Sequence, residues 1–228
     1  MRADVGRRKS YVSWSWVALA IALVGAWPLA LEAQTQSSEE AEGAVRVGDR
    51  WVYDTKDEIS GYPKDTYTEI VTEISPSEIV TNWTFSGKPG SVLVVYDRDW
   101  ARKDNLAWKF KPNDGQGVRL PLAVGKTWRV QYDASNTQTG VNLRSSTSSK
   151  VVAQEAVTTP AGTFDTFKIE RTGRQFRTSD PSKFFESQMV VWYAPAINHW
   201  VRRTYVTKFE KRVRSSTSEE LSDFSRPF

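Results

Sequence analysis

The chain has 228 residues, 25% of them charged, with a formal net charge of +4, a single histidine and no cysteine. Without cysteine there are no disulfides, no thiol nucleophile, no cysteine metal site and no lipid attached through a thioether. So small a positive surplus does not argue for nucleic acid.

The chain opens with Arg2, Arg7, Arg8 and Lys9, followed by an apolar run from Tyr11 to Trp27. Pro28 and Leu31-Glu32-Ala33 follow, so residues 1–33 read as a secretory signal helix cut after Ala33. The alternative is an uncleaved anchor, although the run is short for the roughly 20 residues of a span. This places the protein in the periplasm or outside the cell, with no integral span once the signal is removed. Residues 34–43 are polar, with Glu39, Glu40 and Glu42, and read as an acidic linker.

Residues 44–228 then read as one all-β domain. Val45 to Tyr53 begins it. Tyr67 to Ile74 alternates as a half-buried strand should, Ser75-Pro76-Ser77 turns, and Glu78 to Phe85 returns. Further strands are expected at 92–96, 106–110, 127–132, 150–158, 163–171, 184–193 and, as one long run, 200–213. The clearest hairpin is Val157 to Glu170. There Pro160 suits the first central position of a turn and Gly162 suits a left-handed residue closing it. About ten or eleven short strands and no amphipathic helix predict an antiparallel curved sheet or sandwich. An outer-membrane barrel is rejected, because Arg226 and Pro227 spoil the terminal strand before Phe228 and the strands are highly charged for a lipid-facing band.

Val47-Gly48-Asp49-Arg50-Trp51 recurs as Val124-Gly125-Lys126-Thr127-Trp128. A weaker echo pairs Val94-Val95-Tyr96 and Trp100 with Val190-Val191-Trp192 and Trp200. Both suggest two related β-meanders, about 45–122 and 123–213, with Trp51 and Trp128 in corresponding places.

The residues of the second half carry a resemblance. Val-Gly-x-x-Trp at 124–128, Thr-Pro-Ala-Gly-Thr-Phe at 159–164, and Trp192-Tyr193-Ala194-Pro195 with Val201-Arg202 resemble exported bacterial proteins of the domain-of-unknown-function 3108 type and their TapB-like relatives. The resemblance implies an all-β envelope protein and brings no catalytic residues. Where that family commonly turns on glycine after Tyr-Ala-Pro, this chain has Ala196-Ile197-Asn198-His199, and Asn198 can take the left-handed role.

The chemistry-bearing residues are sparse. One histidine, His199, cannot build a multi-histidine metal site, and it reads as a turn residue beside Trp200. Asp97, Asp99 and Asp104 lack the glycine of a sharp calcium loop and are interrupted by Arg98, Arg102 and Lys103. No Gly-x-Ser-x-Gly motif supports a serine hydrolase. No cofactor or metal is expected. The domain reads as a non-catalytic binder of a lipid-like or saccharide ligand, with Trp83, Trp100 and Trp108 as stacking surfaces and Arg202, Lys208 and Arg212 as a basic face. The alternative is a hydrolase of envelope polysaccharide that uses a carboxylate pair.

Overall fold

The structure is a computed structural model that describes residues 43–227. The expected signal helix, and all of the expected acidic linker except Gly43, lie outside the described residues. The described residues form twelve strands in one antiparallel meander. They are β1 (Arg50–Asp57), β2 (Pro63–Ile74), β3 (Glu78–Phe85), β4 (Val92–Asp97), β5 (Arg102–Asp104), β6 (Trp108–Lys111), β7 (Thr127–Asn136), β8 (Asn142–Thr159), β9 (Gly162–Arg177), β10 (Asp180–Ala194), β11 (His199–Phe209) and β12 (Arg212–Ser225). A 3-10 turn at Pro195–Ile197 links β10 to β11.

Each strand pairs with its neighbours in sequence, and β1 pairs with β12, so the sheet closes into a barrel. The expected all-β antiparallel sheet is present, and it is closed into a barrel where a curved sheet or sandwich was expected. Closure leaves no edge strand among the described residues, which removes the need to protect one with charge. Two features of the sequence hid the extra strand length. The run expected at 200–213 is a hairpin turning at Glu210 and Lys211, which both take positive φ without being glycine. In β8, the buried residues Ser145, Thr147 and Ser149 are polar, so the alternation carries no apolar signature.

The outward residues of at least two strands are polar or charged. Along β7 the buried Val130 and Ala134 alternate with the exposed Arg129, Gln131 and Asp133. Along β9 the buried Ile169 and Arg171 alternate with Lys168, Glu170 and Thr172. Lipid-facing strands would place an apolar band at these outer positions.

The core follows from the inward positions. Trp51 and Tyr53 of β1, Tyr67 and Val71 of β2, and Ile79 of β3 are buried. Tyr96 of β4, Ile169 of β9, Val191 and Tyr193 of β10, and Leu221 of β12 join them. The inward pair of β10 is therefore Val191 and Tyr193, matching Val94 and Tyr96 of β4. The equivalence sits one residue beyond the sequence echo, and Trp192 faces out.

The two glycine lead-in turns are alike in detail. Gly48 and Gly125 have φ of 89° and 92°. The Gly48 amide donates to the Val71 carbonyl (2.8 Å), Asp49 to Arg46 (3.0 Å), and Val71 to Asp49 (3.0 Å). Gly125 likewise donates to Val151 (2.8 Å), Lys126 to Ala123 (3.0 Å), and Val151 to Lys126 (2.9 Å).

Candidate functional site

One pole of the lumen is aromatic and holds the single histidine. His199 is the first residue of β11, not part of the turn before it, and is fully buried. It stacks on Trp51 with ring centroids 4.3 Å apart and lies 3.7 Å from the Trp200 ring. The Tyr53 hydroxyl donates to the Trp200 carbonyl (2.7 Å) and lies 2.5 Å from His199 Nδ1. That hydroxyl has one proton, already given to the carbonyl, so Nδ1–H must donate to the tyrosine oxygen. Nε2 is then a bare acceptor, 3.8 Å from Glu69 Oε2.

Glu69 on β2 is the counterpart, also with no exposure. Burial pushes its carboxyl up to about 7, while burial and the Arg203 charge hold the His199 imidazole well below its ordinary value. Both groups are therefore neutral over the mildly acidic range. A Glu–His–Tyr line in an open cleft could relay a proton. Here all three side chains have 0% exposure, so no substrate reaches them.

The other part of the lumen is polar and plugged by the chain itself. In the β6–β7 connection, Asp114, Gly115, Gly117 and Val118 are buried. A Cβ on Gly117 would lie 2.5 Å from the Asp99 carbonyl oxygen and 2.7 Å from the Ala101 nitrogen, so only glycine passes there. Arg171 pins this segment from β9. It is 4% exposed and donates to the carbonyls of Gln116 (2.6 Å) and Gly117 (2.9 Å) and to Ser149 Oγ (2.8 Å). Burial pulls its guanidinium down to about 10, which leaves it charged at neutral pH. Asp114 meanwhile pairs with Arg102 at 3.2 Å. Beside the plug is a cavity of about 20 Å³ lined by Tyr132, Thr147, Arg171 and Tyr205. A second, of about 10 Å³, is lined by Asp97, Asp99, Arg119 and Trp128. Asp99 is raised by burial and then by neighbouring Asp97, whose Oδ1 accepts from the amides of Asp99 and Ala101. That bonding makes Asp97 a loop organiser. The described residues contain no group of three or more His, Cys, Asp or Glu placed to hold a metal.

The six candidate residues do not meet at one place. Trp83 stacks on Tyr67 at 4.6 Å and donates to Thr81 Oγ1. Trp100, at φ 62°, is buried, lies edge-on to Trp51 and donates to Asn198 Oδ1 at 2.7 Å. Asn198 does take the left-handed conformation, at φ 50°. Trp108 is half-buried on β6, two residues from Phe110 and so on the same strand face. Arg202, by contrast, pairs with Glu220 at 2.5 Å, Lys208 reaches Gln188 at 3.4 Å, and Arg212 is exposed just past the β11–β12 turn. Sequence reasoning missed the outward indole, Trp192. Its Nε1 donates to Glu155 at 2.6 Å, Lys168 Nζ lies 5.1 Å from its ring centroid and the Arg202 guanidinium 5.9 Å. Strict alternation from Val191 and Tyr193 would have identified it.

A sequence profile of the DUF3108-like family matches residues 124–216. Among solved structures, a candidate lipoprotein from Parabacteroides distasonis aligns with a TM-score of 0.56 and 15% identity, covering 79% of this chain and 96% of its own. A candidate exported protein with a YmcC-like fold from Bacteroides fragilis aligns at 0.50 with 17% identity, covering 79% and 97%. The hypothetical lipoprotein YmcC of Escherichia coli aligns at 0.46 with 10% identity, covering 88% and 95%. No curated protein matches the chain. At these identities the first two likenesses establish a shared fold.

Proposed function

We propose that this chain is an exported bacterial envelope protein that acts by binding, not by catalysis, and that it meets a lipid-like or saccharide ligand on the outside of the barrel. The observation that carries the reading is the filled lumen. Two cavities within it, among the described residues, are water-sized at about 20 and 10 Å³. A small-molecule pocket needs roughly 300 Å³ or more. Export rests on the basic and apolar opening of the chain and on the lipoprotein and exported-protein descriptions of the solved relatives. Trp83, Trp100 and Trp108 then serve the barrel wall. Arg202, Lys208 and Arg212 remain the proposed contacts, with Trp192 beside Arg202. We read the matching lead-in turns as the mark of two related meanders of six strands each.

Native mass spectrometry of protein taken from its own envelope tests this reading. The expected result is a co-purified lipid or glycan mass, together with no turnover when envelope polysaccharides are supplied. Turnover that is lost on Asp97→Asn or Asp99→Asn, in a variant that still folds, would establish the hydrolase reading instead.

A further inference from the structure

We propose that the end of the barrel formed by the β9–β10 and β11–β12 hairpins is a membrane-docking surface, which seats on a bilayer of anionic phospholipid headgroups. This rests on the reading above that the protein binds through its outer surface. In an antiparallel meander the odd-to-even turns all lie at one end, and the start of β1 and the end of β12 lie at the other, where Arg50 pairs with Ser225. Exposed apolar residues stand at both ends, with Val47, Leu120 and Val124 at the other one, and at the odd-to-even end they sit at the hairpin tips. Phe185 is 44% exposed and Val213 48%, on neighbouring hairpins. Ile59 and Tyr62 stand exposed at the β1–β2 turn and Leu106 at the β5–β6 turn of the same end.

Charge is concentrated beside the two apolar tips. Residues 208–214 hold four basic side chains against Glu210, and residues 174–186 hold three against Asp180 and Glu186, a net of +4. Lys211, Arg212, Val213 and Arg214 are exposed in an unbroken row. The rings are braced for contact. Phe185 and Phe209 lie 4.9 Å apart, Arg214 sits over Phe209 at 5.6 Å, and Arg174 sits over Phe184 at 3.6 Å. An acidic polysaccharide would satisfy the cations and leave Val213 in water. A charged bilayer interface satisfies both, because acyl chains take the apolar tips while headgroups take the cations. Each basic side chain held at such a surface contributes roughly fivefold in affinity.

The absence of cysteine allows a direct test in the full chain. A Val213→Cys variant is labelled with an environment-sensitive fluorophore, and a Val124→Cys variant labels the opposite end. Both are mixed with phosphatidylcholine vesicles, with and without phosphatidylglycerol. The expected result is a blue shift for the label at 213 on the anionic vesicles only, and none for the label at 124. Adding Lys211→Glu and Arg212→Glu should weaken binding reported at 213 by at least tenfold, and so should high salt. The local label separates this contact from any membrane affinity of the apolar run at 11–27. No shift at 213, an equal shift on neutral vesicles, or a shift produced instead by soluble polygalacturonate overturns the docking surface. If docking fails while native mass spectrometry still finds a bound lipid or glycan, only this inference falls. If turnover through Asp97 or Asp99 appears, the binding reading falls with it.

Discussion

The turn leading into β1 and the turn leading into β7 make the same three backbone hydrogen bonds, yet they carry different loads. At the first, Asp49 is fully buried and accepts two bonds from Arg226 at 2.9 Å each. Trp51, two residues on, has no exposure and packs on His199. At the second, Lys126 reaches instead to the carbonyls of Arg119 and Pro121, and Trp128 is only half-buried. The backbone solution is shared, and the side chains have been reassigned. The first turn closes the barrel beside the seam with β12. The second anchors the connection that plugs the lumen. A turn motif therefore specifies a backbone path and says little about the energy that depends on it.

The largest test of that difference is the tryptophan pair. Trp51→Ala should cost about 4 kcal/mol in urea unfolding, as large aromatic deletions in a packed core do, and Trp128→Ala about half as much. Equal losses would erase the distinction. Next is the buried carboxyl beside Trp51. Glu69 holds a proton in the folded state up to about pH 7, while the unfolded carboxyl releases it near 4.5. The folded state thus binds more protons between those values, and stability falls as pH rises across them. Glu69→Gln removes this dependence. It should gain about 3 kcal/mol over wild type above pH 7 and nothing below pH 4.5, read from denaturation midpoints across pH. A flat difference across that range would show that Glu69 stays ionised in the fold.

A smaller contrast lies in the turn side chains themselves. Asp49→Ala strands part of the Arg226 guanidinium and should lose about 2 kcal/mol, whereas Lys126→Ala should lose less than about 1 kcal/mol. The smallest is in the glycines. Both positive φ values strain an alanine by about 1 kcal/mol. A Cβ at residue 48 would also lie 3.0 Å from Pro227 Cγ, whereas at residue 125 it meets open space. Gly48→Ala should therefore unfold at lower temperature than Gly125→Ala, and the reverse order would place the greater strain at β7.

What could be read from the sequence was the chemistry of short turns. Gly162 takes positive φ where the Val157 to Glu170 hairpin needs it, and Asn198 replaces a glycine, because each depends on local sterics alone. Longer-range outcomes were hidden. Tyr53 and His199 stand 146 residues apart in the chain, and nothing local marks either as the other's partner. Glu69 lies in an alternating segment whose pattern does not say which face is inward, and Tyr67, Glu69 and Val71 are the buried set. The β11–β12 turn escaped because Glu210 and Lys211 adopt a conformation that composition does not advertise.

The pairing of β1 with β12 sets the order in which the molecule can assemble. Arg50 meets Asp223, 173 residues further along, and that pair belongs to the ladder that shuts the barrel. Successive hairpins can zip as the chain emerges, since each strand needs only the one before it. The first strand must wait for the last, with one pairing edge unsatisfied and Trp51 uncovered on one side. The β1–β12 ladder therefore carries a loop-closure cost that no hairpin of the meander carries, and its formation is expected to be slow relative to hairpin formation.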